Sequence, residues 1–433
     1  EVLAPLVTEQ LRAQVRRRIF EPFLDSGRFH RFEAMRNNWS AVCGGAIGGA
    51  AIHLIQDRAV LASILHRCLS CLDVYIHSFG EDGVCTEGVD YWTYGFGFFT
   101  CFADLLQKRT NGKLNLFSIP QVRAIAKSQQ WFYFSGGSTI SFSDGSINSH
   151  FRMGLSCWLQ NHLDSIAIPP QAFAAPVLED PCARYGLVLR DLLWYDETAK
   201  FSLQEETACW LPQAEWFLSR KGDLAVAAKG GHNGESHNHN DCGSFIIFKN
   251  GEQILCDLGA GLYDAFYFGK DRYRFFVNRS YSHNLPLIGG QEQQPGAEFR
   301  AENARASFSG GKNCFSADLT GCYGHRALDS FVRMLEHDTI RQMVILEDTF
   351  CFREPDSVTE VFISLGSIQL ADGVAVITGE HASANLRFDA SAFTAQVVTA
   401  TYQNHEDQET TAHLLLLKAK EPAAHLRYQI TIE

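Results

Sequence analysis

The sequence predicts a multidomain chain of α and β class, a helical N-terminal half followed by a C-terminal antiparallel β-sandwich half, with a ligand cleft expected at their junction. Two observations carry this reading. Apolar residues recur at helical spacing through the first two hundred positions, and after about Leu203 they give way to short alternating or apolar runs separated by turn signals. The domains are accordingly drawn at residues 1–202 and 203–433.

In the first half, residues 7–24, 44–56, 59–79, 94–109 and 120–134 carry the helical period, with Gly or Asn at the breaks. The glycine pairs within residues 44–49 suit helices packed closely in a ring or bundle. In the second half, strands are expected at residues 225–228, 244–248, 252–256, 305–308, 339–348, 360–365 and 414–418. Asn250-Gly251 and Asp372-Gly373 mark hairpin turns. No fixed-period repeat, low-complexity tract or charge block interrupts the chain.

Composition narrows the function classes. Apolar residues make up 46% and charged residues 20% of 433 positions, the range of an ordinary globular enzyme. Lys and Arg total 37 against 49 Asp and Glu, and a formal charge of −12 argues against a nucleic-acid partner, which needs a basic stripe. A polyanionic ligand must therefore meet a local basic or polar cleft. No uninterrupted apolar run reaches the ~18 residues of a membrane span, and no secretory leader is visible after Glu1. The 13 cysteines are odd in number and scattered, and Cys68 and Cys71, the one C-x-x-C pair, sit in an apolar helical run. Buried thiols are expected there rather than zinc ligands. The cysteines and the lack of a visible leader lean towards the cytoplasm, with a periplasmic or secreted location as the alternative.

The densest polar cluster is residues 236–241, Ser-His-Asn-His-Asn-Asp, with His232 and Asn233 just upstream. Such density is costly to bury without a task. Asp257 ends an apolar run, and His283 stands in a Ser-His-Asn triplet. His239, Asp257 and His283 offer two imidazoles and a carboxylate, a set suited to Zn²⁺ with an open position. Spacing alone equally allows a hydrogen-bonded His239–Asp257 pair at a turn and a surface His283.

Several motifs together resemble the heparinase II/III family. In the second half these are His237-Asn-His-Asn-Asp-Cys-Gly-Ser-Phe, Ile254-Leu-Cys-Asp-Leu-Gly-Ala-Gly and Asn278-Arg-Ser-Tyr-Ser-His-Asn. In the first half they are Asn37-Asn-Trp-Ser-Ala-Val-Cys and residues 82–95, which fit a D-G-x-x-x-E-G-x-x-Y-W-x-Y-G pattern. The resemblance implies an α/α toroid before the β-sandwich, and the helical half looks short for a complete one, so helices preceding Glu1 are expected to be missing or the ring incomplete. It further implies a catalytic role for His237 and a metal on His239, Asp257 and His283, expected to be structural Zn²⁺, with Mn²⁺ or Ca²⁺ as alternatives. It also implies carboxylate binding by Asn38, with Asn37 the less favoured neighbour, and proton transfer by a tyrosine, Tyr91 preferred over Tyr94.

The activity implied is that of a polysaccharide lyase cleaving a uronate-containing acidic glycan of the glycosaminoglycan type by β-elimination. Removing the weakly acidic C5 proton beside a charged carboxylate builds an enolate-like dianion, which aimed neutral donors such as an asparagine amide stabilise. A base takes the proton and an acid protonates the departing O4, work suited to tyrosine and histidine. Glu87, Trp92, Tyr94, His150, Arg152 and Arg279 are the accompanying candidate substrate contacts, with Glu87 orienting a neighbour and the aromatic residues walling a cleft. Arg272, Arg274, Asn278 and Arg279 are a candidate basic patch or ordinary surface residues, and Asp144, between Ser143 and Gly145, reads first as a turn residue. Two rivals stand beside this: a glycoside hydrolase using paired carboxylates such as Glu87 and Asp144, and a non-catalytic glycan-binding protein.

Overall fold

The computed structural model describes residues 5–25, 28–178, 184–203 and 207–433. The chain divides into two compact units, and the division is not a single cut. Unit 1 is Glu1–Cys85, Asp90–Gln129 and His150–Ser202, whereas unit 2 combines Leu203–Glu433 with Thr86–Val89 and Gln130–Ser149. The single break expected after residue 202 thus leaves out two short segments that fold with the β half.

Unit 1 is helical. Its helices are α1 (Pro5–Val15), α2 (Glu21–Leu24), α3 (Asn38–Leu54), α4 (Arg58–Ile76), α5 (Val89–Arg109), α6 (Pro120–Phe132), α7 (Met153–His162) and α8 (Tyr185–Trp194). Between α1 and α2, Arg16–Phe20 forms a π-helical turn inside the stretch expected as one helix. Asn37 caps α3 by accepting from the Trp39 N–H, and Asp57 caps α4 by accepting from those of Ala59 and Val60. Consecutive helices pair, α3 on α4 and α7 on α8. The glycines of α3 permit the close approach anticipated from sequence. A Cβ on Gly44 would stand 2.9 Å from Cys71 Cβ, one on Gly45 2.9 Å from the Phe98 carbonyl oxygen, and one on Gly48 2.3 Å from the Phe102 ring. Helix α4 is long and apolar enough to cross a membrane by length and composition, although charged residues break its apolar run. Here it turns Leu61, Ile64, Cys68, Leu72 and Tyr75 into the helical core. Cys68 and Cys71 are buried in it, and burial pushes the Cys71 thiol up to about 12, as a structural cysteine requires. Twelve cysteines are free thiols, and the thirteenth, Cys182, lies outside the described residues.

Unit 2 is antiparallel β. A five-stranded sheet runs through Thr207–Leu211, Trp216–Lys221, Leu224–Lys229, Phe245–Lys249 and Glu252–Leu255. An eight-stranded sheet is ordered Ser367–Ala371, Val374–Thr378, Ser383–Arg387, Ala423–Ile432, Met343–Asp356, Leu328–Asp338, Lys312–Asp318 and Glu302–Ser309. A four-stranded sheet is ordered Phe393–Gln403, Glu409–Ala419, Val358–Ser364 and Leu287–Ile288. One apolar core takes residues from all three sheets, including Phe217, Phe331, Leu346, Phe362 and Leu415. Asn250 and Gly251 both have positive φ, 50° and 79°, in the two-residue turn between Lys249 and Glu252. The extra segment 130–149 packs on the first sheet, with Phe134 stacked on Phe248 at 3.7 Å and Arg220 donating to the Tyr133 carbonyl at 2.7 Å.

One buried histidine in this core makes a pH-dependent stability measurable. His337 is fully buried with Nδ1 2.7 Å from Ser219 Oγ, and burial lowers it to about 4. Its folded value thus lies below the unfolded value near 6.5, so the unfolded chain binds the extra proton as pH falls between them. Stability is held above pH 6.5 and lost on the way down to pH 4, by about 3 kcal/mol. Urea unfolding at stepped pH is expected to show this slope, and His337→Gln to flatten it.

Candidate active site and metal centre

The loop between the short strand His232–Asn233 and the strand Phe245–Lys249 carries His237 and His239. It is held by side chains rather than by a sheet ladder. Asn233 Oδ1 accepts from Asp241 N at 3.2 Å, Gln293 Oε1 from Cys242 N at 3.0 Å, and Ser280 Oγ donates to the Asn240 carbonyl at 2.6 Å. His237 has φ +58°, a left-handed conformation costing a non-glycine residue about 1–2 kcal/mol, and such strain persists only where surroundings fix it.

What fixes it is Asp144. Its Oδ2 accepts from His237 Nδ1 at 2.7 Å and its Oδ1 from His239 Nε2 at 3.1 Å. The Tyr267 hydroxyl donates to Oδ1 at 2.7 Å, and Arg272 Nη2 lies 3.3 Å from both oxygens. Burial alone would raise the Asp144 carboxyl, but the hydrogen bonds from His237 and His239 and the charges of His239 and Arg272 outweigh it and hold it well below the usual carboxylate range. An ionised Asp144 can only accept, so both imidazoles donate to it. The turn residue expected from sequence is therefore the hub of the site.

His239 and His283 are both fully buried, as is Asp257. Burial lowers His239, against the pull of Asp144. With Nε2–H directed to Asp144, its Nδ1 is a buried acceptor without a hydrogen-bond partner. His283 Nε2 lies 3.1 Å from the Val277 carbonyl, which can only accept, so the Nδ1 of neutral His283 also carries a lone pair. That Nδ1 stands 3.2 Å from Asp257 Oδ2, yet neither atom makes a hydrogen bond. Two acceptors facing each other in a buried site require a proton or a cation between them. Without a cation, burial would lower His283, but the charge and close approach of Asp257 with the charge of Asp241 together outweigh it and raise it. The ligand atoms of His239, Asp257 and His283 lie within 4.8 Å of one another, the one such group of three among the described residues. The donor set and its three orphaned atoms fit a divalent metal, with Asp144 behind His239 in a carboxylate–histidine–metal arrangement.

Glu87 belongs to the same unit and brings Oε2 to 3.7 Å from His237 Nε2. Burial pushes its carboxyl up, the charge of His237 opposing. Arg272 and Asn278, candidates for a surface patch, are instead internal. Arg272 donates to the Asn238 and Tyr267 carbonyls besides Asp144, and Asn278 Nδ2 donates to the Arg272 carbonyl. Arg274 is exposed beside Asp271, and Arg279 is paired with Glu292. Tyr267 was missed as a site residue because nothing in its sequence context separates it from an ordinary aromatic position, and Arg272 was anticipated in a basic patch, with no sign of its bond to Asp144.

In unit 1, Asn38 is buried in the first turn of α3 while Asn37 is spent on the cap. A Cβ on Gly95 would lie 3.0 Å from Asn38 Cβ, so Asn38 abuts α5 one turn beyond Tyr91. Tyr91 is half-buried. Tyr94 packs beneath the Arg184 guanidinium at 4.5 Å. Trp92 is fully buried and donates to the Ile125 carbonyl at 2.7 Å, so it is core rather than the cleft wall expected. Helical spacing explains the split, since Trp92, Phe96 and Phe99 share the buried face. His150 is exposed, and Arg152 is buried with Asp191, donating at 3.1 Å.

Residues 204–412 match the model of the heparinase II/III-like C-terminal domain. Over this stretch the chain is similar to that domain family. Every ligand of the candidate metal centre and His237 fall within that matched stretch. The fold of this chain is similar to a crystal structure of heparinase III, with TM-score 0.73 and 14% identity over 99% of this chain and 64% of that one. It is also similar to the heparan sulfate lyase HepC from Pedobacter heparinus, with TM-score 0.70 and 11% identity over 98% of this chain and 63% of that one. The chain thus spans less than two thirds of either. At these identities the likeness establishes the fold, a helical region followed by antiparallel sheets. No curated protein matches the sequence.

Proposed function

We propose that this chain is a polysaccharide lyase that cleaves a uronate-containing acidic glycan, of the heparin/heparan, chondroitin/dermatan or hyaluronate kind, by β-elimination. The observation that carries the reading is the imidazole of His237, strained at its backbone and fixed at Nδ1 by Asp144, beside a buried donor triad in a heparinase II/III-like domain. With Nδ1–H given to Asp144, proton transfer falls to Nε2.

In this reading the Asn38 amide donates to the uronate carboxylate as charge builds on it. His237 Nε2, or Tyr91 for the opposite sugar epimer, takes the C5 proton. The C5–H electron pair becomes the C4=C5 bond, the C4–O4 bond breaks, and the Tyr91 hydroxyl supplies the proton to O4. His239 Nδ1, Asp257 Oδ2 and His283 Nδ1 would hold a divalent metal, preferentially Zn²⁺, whose contribution is to fix the His237 loop. The hydrolase alternative loses ground because the Asp144 side chain is fully inaccessible with both oxygens bonded, so it cannot face a sugar.

Incubating the protein with a panel of uronate glycans and following ultraviolet absorbance tests the proposal. Elimination produces the band of a C4=C5 bond conjugated to the carboxylate. New reducing ends without the band would mean hydrolysis, and binding without either would mean a glycan-binding protein.

A further inference from the structure

Asp144 spans two sites that the sequence treats separately. One oxygen holds the imidazole proposed for proton transfer and the other holds a proposed metal ligand, at 2.7 and 3.1 Å. We propose that Asp144 is a positioning residue that couples the His239–Asp257–His283 triad to His237, so that metal occupancy sets the orientation of the His237 imidazole. This rests on the reading of the triad as a metal site and of His237 as the acting imidazole.

The geometry leaves little slack in the connection. Asp144 follows Ser143 at φ +60°, and the adjoining Gly145 is clamped from two sides. A Cβ on Gly259 would fall 1.9 Å from the Gly145 carbonyl oxygen, and one on Gly88 2.8 Å from Gly145 Cα. Ser141 Oγ donates to the Asp257 carbonyl at 2.7 Å, which ties the same segment to the backbone of a triad member. Tyr267 and Arg272 hold the carboxylate from its other sides. A displacement of the His239 ring therefore passes to the carboxylate and on to His237 Nδ1. A cation on His239 Nδ1 also draws electron density from the ring and strengthens the Nε2–H bond to Asp144, the usual effect of a carboxylate behind a metal-binding histidine. Such partners typically change metal affinity by about 10–100-fold when removed.

The test uses the full chain labelled with ¹⁵N at histidine, stripped with a chelator and titrated with Zn²⁺. His237 is assigned by the signal lost in His237→Gln. In the wild type the His237 ring resonances are expected to shift and sharpen as one equivalent of Zn²⁺ binds. In Asp144→Asn, Zn²⁺ affinity by chelator competition is expected to fall by about 10–100-fold, and at saturating Zn²⁺ the His237 resonances no longer respond. Should Asp144→Asn fail to fold, Tyr267→Phe removes one donor from the same carboxylate and is expected to weaken both readouts. A wild type whose His237 signals ignore bound Zn²⁺, or one that binds no Zn²⁺, overturns the coupling, as does an Asp144→Asn protein that keeps both affinity and response. Intact coupling in a protein that gives no elimination product leaves the inference standing and removes only the lyase reading.

Discussion

Replacing His237 with alanine is expected to lower the rate of β-elimination by about 10²–10⁴-fold, the range for loss of a positioned acid–base group. The unfolding midpoint is expected to move little. Asp144 loses one of its partners but keeps His239, Tyr267 and Arg272, so its charge stays compensated. The alanine keeps the left-handed φ of +58° that the histidine already bears, so the backbone strain is unchanged, and the His237 side chain is not wholly buried, so little packing is lost. Progress curves of the unsaturated product together with a thermal melt check both halves. Wild-type turnover in the variant would take proton transfer away from His237, leaving Tyr91 as both base and acid.

The largest effect on stability is expected at Arg333, in the core of the β unit. Its guanidinium is fully buried and donates to Asp348 through Nε at 2.9 Å and Nη2 at 2.6 Å. Nη1 donates to the carbonyls of Gly243 and Asn284 at 3.0 and 2.6 Å. Glu360 lies beside the pair, and burial with the charge of Asp348 raises its carboxyl well above the usual range. The cluster thus gathers one guanidinium and two carboxyl groups in a fully buried site, with Asp348 taking the bidentate pair. Arg333→Met leaves Asp348 and Glu360 buried side by side without their guanidinium and orphans two carbonyls, a loss of about 3–5 kcal/mol. Urea unfolding followed by fluorescence is expected to show the midpoint falling with the slope preserved. Adding Asp348→Leu to Arg333→Met removes the stranded charge and is expected to recover part of the loss; no recovery would show that the carbonyl contacts dominate.

The helical half was legible where a single face is buried. Helix α5 shows it, with Trp92, Phe96 and Phe99 turned inward at helical spacing. The strand expected at residues 339–348 shows the limit. Thr339 and Ile340 suit a strand by type, but Asp338 Oδ1 accepts from the N–H groups of Ile340 and Arg341 at 3.0 and 2.9 Å. A side chain thus satisfies the donors a ladder would have used, and the chain turns instead, with the strand beginning at Met343. The meeting of His239, Asp257 and His283 was readable because the three residues sit in distinctive local motifs. Asp144 was not, since Ser143-Asp144-Gly145 is what a solvent-facing turn also looks like. Its meaning depends on partners 93 and 95 positions away. Arg272 and Asn278 were opaque for the same reason, being polar residues whose partners are brought to them only by the folded loop.

The discontinuous make-up of the β unit bears on how such a chain can be dissected or recombined. A fragment cut where the family domain begins, near residue 204, would lack Glu87 and Asp144 and would bare the Phe248 ring that Phe134 covers. It would keep every proposed metal ligand and lose the clamp that aims His237. Shuffling this domain between proteins as one contiguous cassette would therefore carry His237 along without Asp144 and Glu87, the two carboxyl groups that lie against its ring.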